Sequence, residues 1–113
     1  MASTITNPKT DTGWLEIPLK SGVTIQVKRY RIVNDICYLS VSNVGNWNFT
    51  AGSWQIFGTL PATCRPSQYV AGAWTGRNGE QGEFQIAVDG QIGVLPYQTG
   101  SNFAFACAFP VGG

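Results

Sequence analysis

Along most of the chain apolar side chains recur at every second position, the period of a pleated strand that buries one face. Trp14-Leu15-Glu16-Ile17 predicts a short first strand, ended by Pro18 and a Ser21-Gly22 turn. Val23, Ile25 and Val27 alternate with Thr24 and Gln26, and past Lys28 the apolar phase moves to Tyr30 and Ile32. A one-residue slip of phase is what a β-bulge produces, so a bulge is expected near Lys28-Arg29. Asn34-Asp35 is a turn pair, after which Cys37, Leu39 and Val41 resume the alternation on a returning strand. Residues 43–53, NVGNWNFTAGS, read as a loop carrying Trp47 and Phe49. Further strands are expected from Trp54 to Gly58, over 68–75, from Phe84 to Val88 and over 91–95, with turns at 77–82 and Asp89-Gly90.

The last strand is two-faced in composition. Phe103, Phe105 and Phe109 alternate with Ala104, Ala106 and Ala108. Neighbouring side chains of a strand point opposite ways, so the Phe side fills a core and the alanine side permits close approach of a neighbouring subunit. No segment holds a 3.6-residue period with caps, so little or no α-helix is expected. The predicted class is all-β: a compact antiparallel β-barrel or sandwich, Greek-key or jelly-roll-like. Residues 1–13 are polar and without hydrophobic period, as in a linker, a tag or the end of an upstream neck; residues 14–113 form one domain.

Composition narrows the chemistry. Seven Lys plus Arg against six Asp plus Glu leave a net charge of +1, without the basic field of a nucleic-acid binder. No apolar run reaches the roughly 20 residues of a membrane helix, so no membrane is expected as a partner. The count of zero histidines excludes His triads, His–metal sites and His general acids. Cys37, Cys64 and Cys107 show no CxxC spacing and are expected as small apolar residues in a reduced compartment. With no apolar leader segment in MASTITNPKTDTG, folding in a cytoplasm is expected. No metal and no cofactor are implied. Catalysis would have to use carboxylates, and the one close pair, Glu80 and Glu83, lies in and beside a glycine-rich turn where a desolvated acid is hard to build. The chain is read as a non-enzyme.

Binding chemistry is better supplied. A sugar is held by an aromatic plate on its apolar face and by amides, carboxylates or guanidinium groups on its hydroxyls. Trp47 stands between Asn46 and Asn48, and Trp74 precedes Thr75-Gly76-Arg77-Asn78. Glu83 and Gln85 flank Phe84, sharing the outer face if Phe84 points inward, and Tyr97 follows Pro96. Trp47, Trp74, Arg77, Asn78, Glu83, Gln85 and Tyr97 are the saccharide-site candidates. Trp14 and Trp54 each begin an alternating strand and are read as core or interface packing. Arg65 beside Pro66 is read as a corner, Lys28, Arg29 and Arg31 as a solvated face, and Asp89 as a turn residue.

Three blocks carry a family resemblance: Gly13-Trp14-Leu15-Glu16-Ile17-Pro18; Tyr30-Arg31-Ile32-Val33-Asn34-Asp35 running into Ile36–Val41; and Gly58-Thr59-Leu60-Pro61 followed by Arg65-Pro66-Ser67. In order and spacing they resemble the C-terminal head domains of bacteriophage tail fibres and receptor-binding proteins, in particular heads of siphophages infecting Gram-positive, lactic-acid-type bacteria. Cys64 stands where that family often has an aromatic before the arginine. The resemblance implies a homotrimer in a tail tip or baseplate, made in the host cytoplasm, contacting other tail proteins and binding a cell-wall saccharide or teichoic-acid-like polymer. It places the sugar in the C-terminal half, on a polar-x-polar strand pair matched here by Glu83 and Gln85, with Tyr97 as aromatic; the family's histidine is absent. Two other readings fit the same residues, a structural trimerisation or baseplate module and a cellular lectin.

Overall fold

The structure, a computed structural model, describes residues 10–111. Eight strands follow one another: β1 (Leu15–Glu16), β2 (Val27–Val33), β3 (Ile36–Phe49), β4 (Gln55–Thr59), β5 (Val70–Thr75), β6 (Gln81–Ile86), β7 (Gln91–Pro96) and β8 (Gly100–Pro110). The helical content among the described residues is one 3₁₀ turn, Ala62–Cys64. All pairings are antiparallel, in the order β1-β2-β3-β8-β5-β6-β7-β4. The run β5-β6-β7-β4 is a Greek key with its long connection first. The predicted all-β antiparallel class is therefore observed.

The sheet curls until its ends meet. Ile17 donates its N–H to Lys28 O on the β2 side, while Lys20 donates to Phe57 O and Thr59 donates to Pro18 O on the β4 side. Leu19 forms an isolated bridge with Gly58. One short segment thus touches both edges and covers part of each, which leaves less open edge to template aggregation.

Inside lies an aromatic core. Phe49, Phe57, Trp74, Phe84, Phe103, Phe105 and Phe109 are buried, and Phe84 stacks on Phe105 with centroids 4.1 Å apart. Rings this large fit because glycines face them. Gly72 pairs with Phe84 and Gly82 with Trp74 across the β5–β6 ladder. A Cβ on Gly82 would stand 2.4 Å from Trp74 Cζ2, and one on Gly72 2.7 Å from Phe84 Cε2. Each ring covers the bare backbone of the strand beside it.

Three local expectations need correction. The β2–β3 register is continuous from Val27↔Ser42 to Val33↔Ile36, so no bulge lies at Lys28-Arg29. The apolar phase changes there because residues 23–26 are not strand but the lead into it. Residues 43–49 are not a loop: β3 runs to Phe49, with its register against β8 shifting between Val44 and Phe49. Buried Asn43 makes this possible. Its Nδ2 donates to Trp47 O (2.8 Å) and Ser101 O (2.7 Å), and its Oδ1 accepts from Trp47 N (3.2 Å). One amide satisfies backbone groups that the irregularity takes out of the ladder.

The third correction concerns sulfur. Cys37 and Cys64 are fully buried and joined in a disulfide, Cα–Cα 6.1 Å, rather than packed as separate thiols. Cys37 is the second residue of β3, just after the Asn34-Asp35 turn, whose residues have φ of 49° and 68° as a tight hairpin requires. The 3₁₀ turn after β4 carries Cys64 to it. Cys107 keeps a free thiol. The ordered contacts also begin before Trp14: Asp11 bridges Val33, Thr12 donates its N–H to Ile32 O, and Asp11 pairs with Arg31. Residues 1–9 of the expected linker lie outside the described residues.

Candidate functional site

Phe84 points inward, so Glu83 and Gln85 share the outer face of β6 as expected. Across the ladder their partners on β7 are Leu95 and Gly93. Tyr97 continues past the end of β7, its N–H donating to Gln81 O, and its hydroxyl donates to Glu83 Oε2 at 2.5 Å. The Glu83 carboxylate holds that proton on the phenol, and the hydrogen bond, reinforced by partial burial and by the negative charge, raises the Tyr97 pKa. Tyr97 remains 54% exposed, a ring standing on the surface with its hydroxyl fixed. Glu83 and Tyr97 are therefore brought together, with Gln85 on the same face one step further along β6, on the side of Glu83 away from Tyr97.

The other candidates lie elsewhere. Trp74 stands near the end of β5, just before the β5–β6 turn, but its ring points inward, 2% exposed, with Nε1 donating to Glu83 O at 2.9 Å. It offers no open ring face; it braces the strand that carries Glu83 from within. Trp47 lies in β3, half-buried, with Phe49, Phe57 and Phe103 at centroid distances of 5.8–6.1 Å. Arg77 and Asn78 occupy the β5–β6 turn, and Arg77 borders a depression of about 250 Å³ with Ser42, Thr75 and Ala104, towards the end of the β5–β6 ladder away from Gln85. That turn is organised by Glu80, which accepts from Asn78 N (2.8 Å) and from Asn102 Nδ2 (2.9 Å). These donors, Asn102 first, lower the Glu80 pKa. A glycosidase acid needs the opposite shift.

The tryptophans assigned to packing are the exposed ones. Trp14 is exposed beneath Arg29, whose guanidinium carbon is 4.7 Å from the ring centroid. Trp54, just ahead of β4, is 42% exposed, and Tyr69 is 65% exposed. With Ile56, Gln85, Gln91, Ala87 and Gly93 they line a depression of about 280 Å³. Sequence reasoning missed Trp54, Tyr69 and Gln91. The available signal was that Trp54 follows Gly52-Ser53 and precedes the strand, outside the alternation it was assigned to. Arg65, by contrast, is a corner as read: its Nε donates to Leu60 O at 3.1 Å. Asp89 accepts from Gln91 N within its turn. Lys28 pairs with Glu16 and Arg31 with Asp11. The alanine side of β8 is exposed in the single chain at Ala104, Ala106 and Ala108. No group of three or more His, Cys, Asp or Glu side chains that could hold a metal occurs among the described residues.

An antiparallel barrel of about one hundred residues, with amides, a carboxylate and bare rings on one outer face, can hold a hydroxyl-rich ligand at its surface. No family model matches the chain, and no curated protein matches it. Among solved structures it is similar to the crystal structure of the head domain of phage bIL170, reported in the context of the receptor-binding domains of lactococcal phages. The two share 21% identity with a TM-score of 0.71, over 88% of this chain and 97% of that one. The fold expected from the sequence resemblance is thus the fold found.

Proposed function

We propose that this chain is a receptor-binding head domain of a phage tail device, carried on the virion at the tail tip or baseplate, that grips host cell-wall saccharide or a teichoic-acid-like polymer without catalysis. The observation that carries the reading is the likeness to the bIL170 head over nearly its whole length. The outer face of β6 and β7 gives it a chemistry. Tyr97 supplies a ring with its hydroxyl anchored, Glu83 retains a second oxygen for a sugar hydroxyl, and Gln85 adds a donor and an acceptor. Arg77 and Asn78 belong to a separate turn and are assigned a peripheral contact at most. The buried disulfide suits a protein displayed on a virion surface.

The working unit of this proposal is a homotrimer packed through Ala104, Ala106 and Ala108, which joins other tail or baseplate proteins. A single shallow site near millimolar affinity gains about 4 kcal/mol, and several sites on one particle multiply it.

The test is capture of purified wall polysaccharides from a panel of Gram-positive bacteria by the intact protein, together with inhibition of phage adsorption by the captured fraction. Tyr97→Ala is expected to weaken capture about three- to ten-fold with the fold intact, the scale of one aromatic contact. An assembled protein that captures no polymer from the panel overturns the proposal in favour of a structural module.

A further inference from the structure

Where the barrel closes, β4 meets the segment after β1 through one bridge and two flanking hydrogen bonds rather than a full ladder. β4 is also irregular there: Ile56 pairs with Gly93 and Gly58 with Ile92, leaving Phe57 unmatched. The bulge sends Phe57 wholly into the core and leaves Ile56 outside, lying over Gly93, which has no side chain to fill the surface. The result is a trough rather than a smooth wall.

Three depressions make up this trough, of about 370, 280 and 410 Å³, and Ile56 lines all of them. Trp54 and Gln91 each border two, and Lys20 links the outer two. Tyr69 and Gln85 stand at the middle one. The polar and aromatic lining includes two exposed rings, the half-buried ring of Trp47, three amides (Gln55, Gln85 and Gln91) and one ammonium, with no carboxylate. An apolar ligand would need enclosure that open depressions do not give, and a cationic one would need an anion. Rings with amides suit sugar faces and sugar hydroxyls, and depressions in series suit successive sugar units.

We infer that the seam trough is an extended saccharide subsite, taking a chain of two or three consecutive sugar units across Trp54 and Ile56, with Gln85 as its junction to the Glu83–Tyr97 pair. Gln85 lies two residues from Glu83 on the same face of β6, about 7 Å along the strand, so a polymer held at Tyr97 continues naturally into the trough. The inference rests on the saccharide reading above and adds to it a ligand length and a second set of residues.

The experiment uses size-graded fragments, one to six sugar units, released by mild hydrolysis from the wall polysaccharide that the intact protein captures. Affinity is expected to rise at least ten-fold from one unit to three and then to level off. Trp54→Ala should abolish that rise while single-unit binding stays; Trp54→Tyr should restore part of it. Tyr69→Ala should reduce it several-fold. Both positions are exposed, so folding is not at stake, and an unchanged unfolding midpoint checks this. If one unit binds as well as three, or if Trp54→Ala leaves the length dependence intact, the trough is not a subsite and the receptor reading still stands. If no polymer is captured at all, both fail together.

Discussion

In the middle of the β3–β8–β5 side the outward positions hold Ser40, Ser42, Ala73, Ala104 and Ala106, none with more than one heavy atom beyond Cβ, while Tyr38, paired with Ala108, ends the small-residue stretch with an exposed ring. On the β6–β7–β4 side they hold Glu83, Gln85, Leu95 and Ile56, with Trp54 and Tyr69 beside them. The same sheet, twisted around the same aromatic core, presents a smooth wall in one direction and a rough one in the other. Small side chains lose little rotamer freedom when covered, so a smooth sheet face is a favourable place for another protein surface to rest. Rigid rings with amides between them leave depressions that a flat protein face would not fill but a sugar would. The contrast gives the two proposed tasks, assembly and recognition, adjoining parts of one outer surface that meet where Ala73 pairs with Glu83.

If one core supports both faces, the largest perturbation should damage both at once. Replacing Cys37 and Cys64 together by Ala opens a cross-link between residues 27 apart in sequence. Loop-closure entropy puts the loss at about 3.5 kcal/mol, read as a lower denaturant midpoint that the intact protein reproduces only under reducing conditions. Assembly and polymer capture should then fall in parallel as the temperature is raised. A variant that loses one and keeps the other at the same temperature would show that the faces do not depend on a common core.

A middle-sized effect separates the faces. Ala106 sits outward on β8 opposite Ser40, in the centre of the smooth side. Ala106→Leu should leave the single chain's unfolding free energy within about 0.5 kcal/mol, since the added side chain meets solvent there. The same substitution should break the proposed trimer, because a close-packed contact tolerates little added volume. Sedimentation velocity alongside denaturation reads both quantities. A variant that assembles like the parent removes the alanine face from the interface, and one that is destabilised as a single chain removes the contrast itself.

Much of this arrangement can be read from residue order, and the parts that cannot have physical causes. Period-two alternation identifies β2, the first half of β3, β6 and β8, because a strand with one buried face has no other way to be written. It also places Glu83 and Gln85 on one face as soon as Phe84 is taken as core. Alternation says nothing about which strand lies beside which. Trp74 is inside because Gly82, eight residues on, returns next to it on β6 and leaves room for an indole. Trp54 is outside because the β4 bulge resets the phase after it. Asn43 looks like a loop residue until the irregular backbone it satisfies is seen. The Cys37–Cys64 pair depends on a hairpin end meeting a 3₁₀ turn, and a 27-residue spacing carries no trace of that meeting. Tertiary juxtaposition, in each case, decides what local pattern leaves open.

The smallest effect probes β8 from its inner side. Cys107 lies half-buried against the core, opposite Leu39, between two alanines that face out. Burial disfavours the thiolate and pushes its pKa from the ordinary 9.0 to about 11. The folded state therefore binds this proton more tightly than the unfolded one. The resulting stabilisation is complete below about pH 9 and is lost as pH rises through about 11. The Tyr97 pKa is also raised, so the informative quantity is the difference between the parent and Cys107→Ala, whose unfolding midpoint should fall less steeply above pH 9. At pH 8 iodoacetamide should modify Cys107 far more slowly in the native protein than after denaturation, because almost no thiolate is present to react. Rapid native alkylation would mean that the inner face of β8 is open to solvent. The two sides of that strand would then differ less than their side chains imply, and Ala106→Leu would have to be reread as a change at a loosely packed edge.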